Sequence, residues 1–339
     1  MKFIQIIIFL ILIYSNTSAQ NYFSEITLID FKIKDNLLFV SADVEPIFRV
    51  IDLESKEVIA SFGLKGRGPG EIENSPYFKL IENTRENYYT IYFIEDATLT
   101  LKQFMFNKSN LSVISLENIN LPNTLRGLRT VHYVNDSLLV GQNNDYFYQR
   151  THKKRSIFKY NLNTKDFEEQ LFYSIKSEPY DLMTELNVNY RDFIYNSKTN
   201  TVYTLTSHSN ILESYNFNNH LYTFKSLDSD EIKLIVMDTK VFDEDDYLGM
   251  YSSFNIIGDY YYTISDVLKN NQIVNIITLY DKNFIKVTSK VYTSNIEFNL
   301  SEPFPLNNSI ILYGYEGDGF YEVPILNGKL GELKPFLRD

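Results

Sequence analysis

Four glycines, Gly63, Gly66, Gly68 and Gly70, crowd into the stretch SFGLKGRGPGEIENSP, residues 61–76. The whole chain of 339 residues holds only 13 glycines and 9 prolines, so this spacing has a purpose. Glycine runs can cradle a phosphate with backbone N–H groups. The context opposes that chemistry. The stretch lacks the Lys-Ser/Thr ending of a phosphate loop, and Gly66-x-Gly68-x-Gly70 opens no helix. A tight backbone crossing fits better, because glycine takes positive φ at little steric cost and Pro69 biases Gly68 toward an extended backbone. Arg67 and Glu71 are candidate binding residues of this loop, toward a ligand or toward neighbours.

The four histidines are His132, His152, His208 and His220. None forms a His-x-His or His-Glu-x-x-His ligand pair. A mononuclear metal site could still gather histidines from separate strands, and His132 is the best placed of them for ligand or metal. A hydrogen-bonded strand histidine is the competing reading. FDEDDY offers Asp243, Glu244, Asp245 and Asp246, hard oxygen donors suited to calcium. It lacks the spaced ligands and turn glycine of an EF-hand loop, and a solvated acidic loop is the alternative. Glu316 and Asp318 in YEGDGFYE read the same two ways, as hairpin chemistry or a cation site. No other cofactor is called for. No Gly-x-Ser-x-Gly elbow is present, although a triad can assemble from distant residues. Exposed Tyr and Asn in NNDYFYQ and GDYYYT could stack on and hydrogen-bond a sugar or peptide; strand packing accounts for them equally.

These residues need elements to position them, and the chain supplies short strands. Aromatics are 15%, with 27 Tyr, 25 Phe and no Trp, a bias toward pleated, half-buried surfaces. Strongly apolar runs begin near residues 37, 89, 138, 202, 260 and 310. Each is followed by a polar turn, a second strand, a short Asn/Asp/Lys turn and a third strand. Before each lies a further extended segment: ITLIDFKI, YFKLIE, LRTVHYV, RDFIYN, SFNIIG and EPFPL. Four strands per cycle make the blade of a β-propeller, whose repeats span roughly 40–50 residues plus insertions. The insertions fall at 175–190 and 228–252, the second with a candidate fifth strand, EIKLIVMDT. An array of β-sandwiches would need linkers, and a parallel α/β fold would need helices between strands; neither is visible.

The net charge is −11, and −12 without Lys2. A nucleic-acid partner would want a basic face, and the one dense basic run, Lys153-Lys154-Arg155, reads as a solvated hairpin end. No nucleic acid is expected. The N-terminus MKFIQIIIFLILIYSNTSAQ has a short positive start, an apolar run and small residues before Gln20, the pattern of a signal peptide over 1–19. The run is too short to span a membrane comfortably, which takes about 20 apolar residues. There is no cysteine, hence no lipid-attachment site, disulfide or thiolate metal site. The expected product is periplasmic or secreted, without a membrane span once the signal is removed.

SFGLKGRGPGEIENSP resembles the loop of NHL repeats: Phe62-Gly63, Gly66, Gly68, Gly70-Glu71-Ile72 and Pro76 fill the places of that pattern. The Gly-x-Gly-Pro-Gly-Glu form is similar to that of exported six-bladed, TolB-like propellers, a group of largely unassigned function. The resemblance covers one loop, implies a six-bladed ring and an extracytoplasmic address, and brings no catalytic residues.

The expectation is therefore an all-β, six-bladed β-propeller of four antiparallel strands per blade over residues 21–339. The blades fall at roughly 25–63, 77–118, 128–175, 189–227, 253–293 and 298–336. Ring closure rests either on packing between blades or on a strand from residues 21–27. The function expected is a non-catalytic binding or interaction module presenting a rigid loop face to a protein, peptide or glycan. A hydrolase or lyase with its site at the axial mouth is the alternative, and a purely structural subunit of a surface complex the third reading.

Overall fold

The computed structural model describes residues 27–68, 70–73, 77–95, 98–125, 128–135, 137–144, 155–171, 191–207, 209–227, 251–269, 272–292, 304–306, 309–316 and 319–338. The 1–19 segment, His152, His208, the acidic loop Asp243–Asp246, Asp318 and both insertions, save for Tyr251 and Ser252, lie outside them.

Blade one is built from β1 (Leu28–Lys34), β2 (Leu37–Ala42), β3 (Phe48–Asp52) and β4 (Glu57–Phe62), hydrogen-bonded in that order. β5 (Leu64–Lys65) and β6 (Glu71–Ile72) pair in parallel within the glycine stretch. Blade two follows as β7 (Phe78–Arg85), β8 (Tyr88–Glu95) and β9 (Thr100–Asn107). Its outer edge is divided between β10 (Ser112–Ser115) and β11 (Ile119–Asn120), both paired with β9. Blades three to five are four-stranded antiparallel sheets opening on Leu128–Asn135, Arg191–Asn196 and Tyr251–Ile257. Blade six opens on Phe304–Leu306, and its outer edge is divided between Lys329–Leu330 and Lys334–Arg338. The six sheets form a six-bladed β-propeller, as the strand rhythm predicts.

Burial explains the sequence rhythm. β2, LLFVSA, is buried at all six positions, because an inner strand has a neighbouring blade against each face. β4 at the rim has no buried position: Glu57 and Ser61 are exposed and the other four are half-buried. The turn between third and fourth strands is built the same way in blades one to five. Asp52, Asn107, Asn161, Asn216 and Asp281 each accept backbone N–H groups from residues two to four further on. Lys56, Leu111, Lys165, His220 and Phe284 then turn the chain with positive φ. Asn and Asp favour this because their side chains mimic a backbone turn.

Buried apolar clusters bridge every pair of neighbouring blades. Closure between blades six and one is of this kind. Phe31 meets Phe320 edge-on at 5.0 Å, among Ile33, Leu38, Ile311 and Tyr313. Lys56 donates to the Phe336 carbonyl at 2.9 Å and lies over that ring. Among the described residues each sheet is drawn from one continuous stretch of chain, and side-chain packing joins blades six and one; residues 21–26, most of the alternative closing strand, lie outside them.

Candidate functional site

The seam between blades one and two is apolar for most of its depth. Tyr89, Ile91 and Phe93 alternate along β8, and Phe104 and Phe106 along β9, all toward Phe39, Phe48 and Val50 of blade one. Side chains of a strand alternate between faces, so the same face continues to Glu95 on β8 and to Lys102 and Thr100 on β9. Glu95 is opposite Thr100, and Asn120 of β11 is opposite Thr100 from the other side. Asn118, two residues earlier, shares that face. The other face, with Ile94, Leu101 and Ile119, packs against Val131 and Leu139 of blade three. The seam thus turns polar at the end where the β8–β9 turn and the glycine loop emerge together.

An open cavity of about 510 Å³ lies there, lined by Arg67, Gly68, Glu73, Glu95, Thr98, Thr100, Lys102, Asn118 and Asn120. The Lys102 ammonium pairs with Glu95 and donates to the Glu71 carbonyl. Their side chains are 7% and 3% exposed, so this is a buried ion pair forming part of the cavity wall. Glu95 also accepts the Glu73 N–H. Arg67, with its side chain 83% exposed, pairs with Glu73 through two guanidinium nitrogens. The rest of the wall is amide and hydroxyl: Thr98, Asn118 and Asn120 are exposed, and Thr100 is buried.

The glycine loop is shaped around Glu71. Its carboxylate accepts the Gly68 N–H at 2.7 Å, while Glu71 N–H donates to the Gly68 carbonyl at 3.0 Å. A Cβ on Gly66 would stand 2.0 Å from Glu71 Oε2, which explains the glycine there. Gly66 N–H closes the loop onto the Ile72 carbonyl at 3.0 Å, and Ile72 is sunk into the seam. Of the three binding candidates, the structure brings Arg67 to the cavity, places Glu71 beneath the loop as its internal acceptor, and sets His132 opposite Val140 on the inner strand of blade three. Among the described residues the spaced glycines open no helix, and the Gly66 and Gly68 N–H groups are taken by the Ile72 carbonyl and the Glu71 carboxylate.

Glu73, Glu95, Lys102, Thr98, Thr100, Asn118 and Asn120 escaped the sequence reading. A signal existed: Glu95 ends the alternation Tyr89-x-Ile91-x-Phe93, and Thr100-x-Lys102 precedes Phe104-x-Phe106. Charges on the buried face of two adjacent strands mark a polar seam end.

Two inner-strand aspartates hold neighbouring blades. Asp30 accepts the N–H groups of Phe31 and Phe78, each at 2.8 Å. Asp192 of blade four accepts the Phe254 N–H of blade five. The residue is only partly buried, but its Oδ2 is sealed from solvent without a hydrogen-bond partner among the described residues. Burial pushes the Asp192 carboxyl up to about 7. His220 Nδ1 lies 2.9 Å from Glu168 and 3.1 Å from the Tyr215 hydroxyl, a contact between blades three and four. Among the described residues no group of three or more His, Asp or Glu is gathered as a metal site. No helix among them is long and apolar enough to cross a membrane.

Comparison with known proteins finds the architecture and little else. No family model matches the chain, and no curated protein does. A crystal structure of a DUF4221 family member from Bacteroides vulgatus matches with a TM-score of 0.54 at 12% identity, covering 86% of this chain and 93% of that one. U3-55K matches with a TM-score of 0.51 at 10% identity, over 92% of this chain and 82% of that one. At these identities the likeness shows the fold alone.

Proposed function

We propose that this protein is a non-catalytic binding module working outside the cytoplasm, with its ligand site at the polar end of the seam between blades one and two. The observation that carries the reading is the cavity under the glycine loop. Small-molecule sites are concave, of roughly 300–1,000 Å³, with a few convergent polar groups, and this one combines such a volume with a pinned wall. Its acids are each engaged by a base or a backbone donor, Glu73 by Arg67 and Glu95 by Lys102. A general acid or base needs a free proton site within reach of substrate; paired carboxylates suit holding rather than reacting. Rigid scaffolds carrying loops are the common setting for recognition. The signal pattern at residues 1–19 and the absence of cysteine support export without lipid attachment.

A thermal-shift screen of the purified protein against divalent metals, EDTA, glycans and peptides tests this, with hydrolysis products assayed in the same wells. Ligand at a hundred times its Kd stabilises by roughly 2.7 kcal/mol, a rise of several degrees. The reading expects such a rise with one organic ligand class and no turnover. Turnover, or a loss of stability in EDTA, contradicts it.

A further inference from the structure

The chemistry of the cavity wall narrows what it accepts, on the premise that this is the binding site proposed above. Its formal charges come as neutralised pairs, Arg67 with Glu73 and Lys102 with Glu95. A charged ligand would compete with a partner already in contact. Drawing Lys102 away would leave Glu95, 3% exposed, as an uncompensated buried carboxylate, which is costly. A hydroxyl group makes no such demand. It offers one donor and two acceptor positions, so it can lie against a carboxylate and a cation together and leave their pairing intact.

The uncharged wall has the same two-sided character. Asn118 and Asn120 sit two apart on one face of the chain entering and forming β11, both exposed. Each side-chain amide offers two donors and an acceptor with two lone pairs. Thr98, also exposed, lines the same cavity and carries a hydroxyl. Alternating donors and acceptors on a rigid surface match adjacent hydroxyls on a ring. The volume, about 510 Å³, accommodates a short oligosaccharide end.

The geometry points to a neutral carbohydrate as the ligand of this cavity, held by Asn118, Asn120 and Thr98 between the two ion pairs. The test is an array of neutral glycans, with uronic-acid and sulfated glycans and acidic and basic peptides on the same surface. It is probed with the purified protein and with Asn118→Ala/Asn120→Ala, followed by titration of retained species. Release of reducing ends is measured alongside. Both substituted side chains are exposed, so an unchanged melting temperature is expected. The result expected is retention of neutral glycans, weakened at least tenfold in the double variant. Silence of every neutral glycan overturns the inference, as does binding that the double variant leaves unchanged. Peptide binding lost in the double variant, with neutral glycans silent, sinks the carbohydrate class and keeps the binding module. Neutral glycans bound and cleaved keep the class and sink the non-catalytic reading.

Discussion

The Asp30 carboxylate accepts the backbone N–H of Phe78 at 2.8 Å, joining the inner strand of blade one to the first residue of the inner strand of blade two. Three blades further round, Asp192 takes the Phe254 N–H in the same manner. Both aspartates precede a phenylalanine, in IDF and RDF, whose ring packs between blades. Removing the Asp30 side chain strands two backbone donors at a blade seam. Asp30→Ala is expected to cost about 1–3 kcal/mol, and Asp30→Asn less, because its amide oxygen still accepts. Urea unfolding of the three proteins measures the difference.

Asp192 gives the fold a pH dependence of definite sign. Its carboxyl is raised to about 7 in the folded protein by burial, against roughly 4 in an unfolded chain. The folded state therefore holds a proton that the unfolded state has released between those values, and stability falls as pH rises through the window. Asp52 and Asp281 act oppositely. Burial raises Asp52, but N–H donors from Ser55 and Glu54 and the charge of Lys108 outweigh it; at Asp281 the Ile285 N–H leads. Both are lowered, so their contribution is present above about pH 4 and is lost on acidification below it. Melting temperature is expected to decline between pH 5 and pH 8. Asp192→Asn should flatten that decline, by on the order of 1–3 kcal/mol at the alkaline end.

The buried pair under the cavity predicts a non-additive result. Lys102→Met leaves the Glu95 carboxylate buried without its ammonium and is expected to cost about 3–5 kcal/mol. Lys102→Met with Glu95→Leu removes both charges and should recover most of that loss. A double variant as unstable as the single one would show that the pair is not the unit that matters.

Much of the architecture was legible because blades repeat. The buried second strands, such as LLFVSA and YYTIYFIE, stand out as apolar runs since both faces are covered. The Asx turns at Asp52, Asn107, Asn161, Asn216 and Asp281 punctuate them at the same place in each cycle. The glycine crossing was legible as a turn, because positive φ at Gly63 and Gly70 demands the residue type. The parallel pairing of β5 with β6 was not, since two residues on each side carry no periodicity. Nor was the role of Glu71, which depends on where a loop folds back onto its own carboxylate. The cavity was hidden for a related reason. Its walls come from Arg67, Gly68 and Glu73, from Glu95, Thr98, Thr100 and Lys102, and from Asn118 and Asn120, and only the ring's geometry makes them neighbours.

Hydrogen–deuterium exchange of the protein, with and without the species it retains most tightly, tests the central claim most directly. The account predicts slowed exchange in peptides covering 66–73, 95–102 and 117–121, at the polar end of the first seam. Slowed exchange at the opposite-face turns 52–56, 107–111, 161–165 and 216–220, with those three segments unchanged, would contradict it.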